Sequence, residues 1–199
     1  MLVKDALKIT DSFTKTSKMP GLSYSLPAWA CQTGSKLRKV KTSPCFGCYA
    51  MKGNYTRYPA IREAQYRRLD AITSPQWVEA MAAVIKRQKW FRWHDAGDLQ
   101  SSEHMAKIIE ICKLTPDTQH WLPTQERQYL PKPEDVPANL IIRLSAAKVD
   151  GTAGNAWTHS STVVTDGSPS CPAPNQGGKC RDCRACWNKD IKNISYGKH

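Results

Sequence analysis

Seven of the eight cysteines fall into two groups along the chain, and this grouping constrains the fold more than any other feature. The two groups are Cys31, Cys45 and Cys48, and then Cys171, Cys180, Cys183 and Cys186. The second group contains a C-x2-C-x2-C run, and its distal cysteine precedes a proline, which is typical of iron-sulfur ligation. Structural zinc more often uses two separated C-x2-C pairs or Cys and His pairs. The spacing therefore favours a [4Fe-4S] cluster and leaves zinc as the alternative.

A disulfide framework is the other interpretation of so many cysteines. The N-terminal stretch MLVKDALKITDSFTKTSK is polar and carries no apolar signal segment. A chain without an export signal is expected in the reducing cytoplasm, where clustered thiols act as ligands or redox groups. We therefore predict a cytoplasmic protein whose grouped cysteines bind metal.

The first group supplies three cysteine ligands. Four basic residues lie between Cys31 and Cys45, namely Lys36, Arg38, Lys39 and Lys41. Their charge would compensate that of a thiolate-bound cluster. Three cysteines leave one iron open to a small molecule, whereas a fourth ligand from Cys112, His94 or the tail would close it. Both arrangements remain open, as does the number of clusters, one or two.

Length and charge limit the partners. The chain has 199 residues, of which 40% are apolar, enough for one domain with a core. No stretch is long enough to span a membrane, so we predict no membrane partner. Lys and Arg number 29 against 17 acids, a formal charge of +12. This excess makes nucleic acid or a phosphorylated small molecule a candidate partner, while the oligomeric state is not indicated.

Apolar periodicity predicts alternating strands and helices after an irregular region over residues 1–58. The predicted helices cover residues 59–72, a segment that begins near 74, and residues 103–114. The predicted strands are residues 89–94, 119–123, 139–145 and 161–166. Such alternation implies βα units and a mainly parallel sheet.

The chain is too short for a complete eight-stranded barrel, which needs about 250 residues. We therefore predict an α/β fold built as a partial, open βα barrel. The α/β core with its cysteine loop is expected over residues 1–166. A cysteine-rich, metal-binding tail packed on that core is expected over residues 167–199.

Polar residues that follow the predicted strands are candidates for a binding cleft, because parallel sheets bind ligands at the carboxyl ends of their strands. These candidates are His94, Asp95, Gly97, Asp98, Gln125 and Arg143. Gly97 can take a positive φ and let a ligand approach the backbone. The imidazole and the carboxylates suit amine binding or proton transfer. In the alternative interpretation, Asp98 and Ser101 satisfy loop amides and cap the next helix.

Motifs along nearly the whole chain resemble those of the phage-encoded family named after gene product 88. They are Cys31, CFGCYAMKGNY, WFRWHDAGDL, WLPTQE, RLSAAKVDG and CPAPNQGGKCRDCRACW. The combination of CYA with the terminal cysteine run is the most specific part. The resemblance implies a viral origin and action in the host bacterial cytoplasm, without indicating a reaction.

CFGCYA followed by βα units is also distantly similar to radical S-adenosylmethionine enzymes. In that family three cysteines hold a [4Fe-4S] cluster whose open iron binds the methionine group. The similarity implies S-adenosylmethionine as a candidate cofactor, with Asp95, Gly97 and Asp98 in the position of that family's glycine-rich loop. The family uses C-x3-C-x2-C, however, whereas the spacing here is C-x13-C-x2-C, with Gly47 before the last cysteine.

Two functions follow as expectations. The first is a cluster-dependent enzyme, radical-type or other, with a small-molecule cleft at the strand ends. The second is a metal-stapled basic module that contacts nucleic acid or a host protein. Catalytic residues are not assigned.

Overall fold

Six parallel strands form one open sheet, ordered β1 to β6 as they occur along the chain. The computed structural model describes residues 1–166 and 169–198. The strands are β1 (Leu22–Tyr24), β2 (Trp90–Trp93), β3 (Gln119–Thr124), β4 (Leu140–Ser145), β5 (Ser160–Val164) and β6 (Asn193–Gly197). Each strand pairs with the next in parallel. The predicted partial, open βα barrel is therefore confirmed as a single open sheet of six parallel strands.

One of the α-helices precedes β1, and the others lie in the connections from β1 to β2 and from β2 to β3. They are α1 (Val3–Thr10), α2 (Gln32–Leu37), α3 (Asn54–Arg57), α4 (Pro59–Ala71), α5 (Trp77–Ile85) and α6 (Ser102–Leu114). In α6 the hydroxyl of Ser101 accepts a hydrogen bond from the His104 amide, so the predicted cap is present. Within the described part of the chain, no helix is long and apolar enough to cross a membrane.

The main core lies between the sheet and helices α4 to α6. Successive strand residues point to opposite faces, so Phe91 and Trp93 of β2 face the helices while Arg92 faces the other side. Trp77 of α5 packs on Trp93 with ring centroids 6.3 Å apart. Arg92 of β2 and Arg143 of β4 consequently lie on the opposite face, whereas His120 of β3 packs against Phe91 and Trp93 on the helix-facing side.

The N-terminal region, residues 1–58, is irregular for much of its length but also contains α1, β1, α2 and α3, which the pattern did not predict. Strand β1 has three residues, too few for its alternation to stand out. It pairs with β2 in the register Leu22↔Phe91. The loop that carries the first three cysteines therefore follows a strand, at the carboxyl edge of the sheet.

The C-terminal region supplies β6, which pairs with β5 from Ser160↔Asn193 to Val164↔Gly197. The segment predicted as a tail thus contributes a strand to the sheet as well as carrying four cysteines. Residues 167 and 168, where that segment begins, and residue 199 lie outside the described residues.

Candidate metal centres and binding cleft

The loop between β1 and α4 brings the first three cysteines together. Cys31 immediately precedes α2, and a Cβ placed on Gly34 of that helix would lie 3.7 Å from the sulfur of Cys31 and 3.8 Å from that of Cys45. Burial raises the pKa of the Cys31 thiol, and Asp98, Cys48 and Cys45 raise it further. Burial, with Cys48, also raises the pKa of Cys45 to about 11. In the metal-free chain these thiols are protonated, so ligation would release protons.

Glu126 fixes this loop to the end of β3. Its carboxylate accepts hydrogen bonds from the amide of Gln32 at 3.1 Å and from the amide of Thr33 at 2.7 Å. The Thr33 hydroxyl donates a third at 2.6 Å. Glu126 is buried and was not predicted as a site residue, although it directly follows Gln125 in the WLPTQE motif.

Asp98 and Gln125 lie together beside the cysteine loop. The Asp98 carboxylate accepts hydrogen bonds from the Thr124 hydroxyl at 2.6 Å and from the amides of Gln125 and Leu99, both at 2.8 Å. Burial raises the pKa of Asp98 to about 7 and outweighs these three hydrogen bonds, which lower it. A carboxyl group with that pKa can both give and accept a proton near neutral pH.

We expect Asp98 to titrate near pH 7 in the folded protein, well above its ordinary value of 3.8. Its contribution to stability is complete at pH values below the unfolded pKa and is lost as the pH rises through about 7, because the unfolded carboxyl ionises more readily. Carboxyl ¹³C NMR, with Asp98→Asn for assignment, measures the midpoint. A midpoint below pH 5 for Asp98 would contradict the burial of this group.

Asp95 and Gly97 serve the packing of the same loop. The Asp95 carboxylate accepts hydrogen bonds from the Ser25 hydroxyl at 2.8 Å and the Tyr55 hydroxyl at 2.9 Å. Gly97 has a φ of +80°, and a Cβ there would lie 2.7 Å from the carbonyl oxygen of Leu26. Asp95 and Gly97 thus contact other residues of the protein, and these contacts join the loop after β2 to the segment after β1.

His94 and Arg143 contact different groups from those that Asp98 and Gln125 contact. The His94 ring packs 5.3 Å from the ring of His104 on α6, and neither of its nitrogens has a hydrogen-bond partner among the described residues. Burial holds the pKa of His94 well below its usual value, so the ring is neutral. Arg143, which is fully buried, instead donates to backbone carbonyls of the C-terminal cysteine segment.

The four C-terminal cysteines line one cavity. Its other lining residues include Pro172, Trp187 and Ile194, and its volume is about 20 Å³. Burial raises the pKa of Cys186 to about 11, and its sulfur lies 3.3 Å from the Tyr196 hydroxyl. All eight cysteine thiols are free, so the structure does not form the disulfide framework.

Arg92 lies between the two cysteine groups. Its guanidinium stacks on Trp121, 4.6 Å from the ring centroid. Burial alone would lower its pKa, but Tyr49, Asp95, Tyr196 and Cys186 together raise it. Tyr49 directly follows Cys48, and Cys186 belongs to the C-terminal group, so Arg92 interacts electrostatically with residues at or next to both cysteine groups. Arg92 was not predicted as a site residue, because its partners come from distant segments of the chain.

Neither group of cysteines, among the described residues, has the geometry of a site for a single metal ion. Among residues 1–166 and 169–198, no three His, Cys, Asp or Glu side chains are arranged to hold a metal ion. A zinc site would require its thiolates within about 2.3 Å of a single ion. The free thiols of each group would therefore have to draw closer together to bind a single ion.

Comparison with known proteins supports the family that the motifs indicated. No match was found among curated proteins or among solved structures. A family model described as "Gene product 88" matches residues 1–189, which is nearly the whole chain and includes all seven grouped cysteines. It gives no support to the similarity with radical S-adenosylmethionine enzymes. The chain therefore belongs to the gene product 88 family.

Proposed function

We propose that this chain is an iron-sulfur protein with two [4Fe-4S] clusters. Cys31, Cys45 and Cys48 would hold one at the carboxyl edge of the sheet. The four cysteines that line the C-terminal cavity would hold the second. The observation that carries the proposal is that seven free thiols gather into two groups, although up to 13 residues lie between neighbouring cysteines of a group.

The spacing of the thiols supports a cluster over zinc. A zinc ion draws four thiolates to one point, whereas a cluster binds each thiolate through a different iron and keeps the sulfurs further apart. The C-x2-C-x2-C run, with the distal Cys171 before Pro172, fits ligation of a cluster better than the separated pairs typical of structural zinc. The alternative is that the C-terminal group binds zinc. Metal analysis distinguishes zinc from iron.

The first group supports an enzymatic role. A cluster with three cysteine ligands supplies electron transfer and one open coordination position when it is bound. Asp98 lies close enough to Cys31 and Cys45 to raise the pKa of both thiols, and its own raised pKa would suit it to give a proton to a small-molecule ligand or to accept one from it. We therefore propose a cluster-dependent enzyme whose substrate enters at the carboxyl edge of the sheet.

Metal analysis of cysteine variants tests the proposal. Wild-type protein purified without oxygen should contain about eight irons and eight sulfides per chain. Cys45→Ala and Cys183→Ala should each lose the iron of one group, about half of the total. The matched control is Cys112→Ala, since Cys112 is buried in the core with α6 and lies in neither group. Zinc in place of iron, or full iron in both site variants, would contradict the proposal.

A more specific form of the enzyme hypothesis is that the first cluster binds S-adenosylmethionine. Its support is positional, because the cysteine loop follows β1 and the HDAGDL loop follows β2 in a sheet whose strands run in sequential order. Titration of the reduced protein with this compound should change the paramagnetic spectrum of the first cluster. An unchanged spectrum at saturation would remove the radical mechanism and leave the iron-sulfur assignment intact.

A further inference from the structure

Positive charge is concentrated in the segment that carries the first three cysteines. Residues 12–62 contain no Asp or Glu, and their nine basic residues are Lys15, Lys18, Lys36, Arg38, Lys39, Lys41, Lys52, Arg57 and Arg62. The lysine side chains near the cysteines lie at the surface, including Lys36, Lys39, Lys41 and Lys52. More cations are present here than a thiolate-bound cluster needs for compensation, so an external anion is the expected partner.

Large aromatic side chains are exposed beside each of these three cysteines. Trp29 precedes Cys31 by two residues and is 38% exposed, Phe46 adjoins Cys45 and is 50% exposed, and Tyr49 adjoins Cys48 and is 54% exposed. Aromatic rings of this size are normally buried, and an exposed group of them marks an interaction surface.

The ring of Tyr49 is fixed at its hydroxyl end, although the residue is 54% exposed. Its hydroxyl donates a hydrogen bond to the backbone carbonyl of Asp95, and its ring packs edge-on against Tyr55 at 5.9 Å. A ring fixed at its polar end loses little conformational freedom when a flat ligand stacks on it. We call Trp29, Phe46 and Tyr49 together with Lys36, Lys39, Lys41 and Lys52 the aromatic-basic surface.

We propose that the aromatic-basic surface binds single-stranded nucleic acid and that a nucleotide within that strand is the substrate class of the three-cysteine site. Phosphates pair with the lysines, and unpaired bases stack on the aromatic rings. A duplex keeps its bases stacked internally and cannot use the rings in this way. The part of this inference that concerns the substrate rests on the proposed function, whereas the binding surface does not.

Fluorescence anisotropy with labelled oligonucleotides of about 15 nucleotides tests the surface, within the usual site size of such proteins. RNA and DNA single strands, the matching duplex and polyglutamate are compared. Phe46→Ala should weaken single-strand binding by about ten- to a hundred-fold, the usual effect of losing one stacking ring. Lys39→Gln and Lys41→Gln should each reduce the slope of log K against log salt by about 0.7.

Matched controls come from the far end of α6. Leu114 is 53% exposed and adjoins the exposed Lys113 at the amino edge of the sheet, away from the cysteine loop. Leu114→Ala and Lys113→Gln should leave affinity and salt dependence unchanged. Equal binding of duplex and single strand, or equal losses in Phe46→Ala and Leu114→Ala, would overturn the inference. Tighter binding of polyglutamate than of either oligonucleotide would also overturn it and indicate an acidic protein partner.

Iron analysis of the same samples separates this inference from the proposed function. Oligonucleotide binding through Phe46 in a protein that takes up no iron would contradict the proposed function and leave a nucleic-acid-binding module. Two intact clusters without oligonucleotide binding would contradict this inference alone.

Discussion

Replacement of Arg143 by methionine is expected to lower the free energy of unfolding by about 3–5 kcal/mol and to release the C-terminal cysteine segment from the sheet. The guanidinium donates hydrogen bonds to the carbonyls of Ala185 at 3.0 Å, Cys186 at 3.1 Å, Asn188 at 2.9 Å and Ile191 at 2.9 Å. Methionine fills similar space but leaves these carbonyls without donors, and each unsatisfied buried group costs about 1–3 kcal/mol.

Urea unfolding and iron content of the same preparation measure both parts of this effect. The control is Arg87→Met, which removes an exposed arginine just after α5 and should change stability by less than about 0.5 kcal/mol. Arg143→Met should also lose the iron of the C-terminal group while it keeps that of the first. Stability equal to that of Arg87→Met would show that Arg143 does not hold the segment.

Gly97→Ala is expected to cost about 2–4 kcal/mol of folding stability. The φ of +80° alone disfavours alanine by about 1 kcal/mol. The added Cβ would also lie 2.5 Å from the Cβ of Leu26 and 2.7 Å from its carbonyl oxygen, and a backbone atom cannot move aside as a flexible side chain can. The loop would have to shift, taking Asp95 and Asp98 with it.

Gly154→Ala is the matched control, because Gly154 has a φ of +74° and nothing within 4 Å of an added Cβ. It should show only the conformational cost, about 1 kcal/mol. Denaturant midpoints compare the two variants directly. Equal losses would mean that the close approach to Leu26 does not constrain the β2 loop.

Periodicity predicted the strands and helices that are long enough to show a pattern. The four predicted strands correspond to β2 to β5, and the three predicted helices to α4 to α6. Strand β1, with three residues, fell below the length at which alternation is visible. Strand β6 was not predicted, because its segment was interpreted from the cysteine run as a metal-binding tail.

Sequence identified the cysteine groups because ligand spacing is local, but it could not place side chains whose orientation depends on the backbone. His94 was expected at the strand end, facing a cleft. Its φ of +54° accompanies a ring that packs on the buried His104. Arg143 was identified as a candidate, but most of its partners lie more than 40 residues away, and only the fold brings them together.

Anomalous diffraction from crystals of the anaerobically purified protein, recorded on both sides of the iron absorption edge, tests the central claim most directly. The account predicts two iron peaks, one enclosed by Cys31, Cys45 and Cys48 and one in the cavity of the C-terminal group. The first should show an iron without a cysteine ligand beside Asp98. Peaks at the zinc edge alone, or cysteine groups without metal in a protein that is fully folded, would contradict the account.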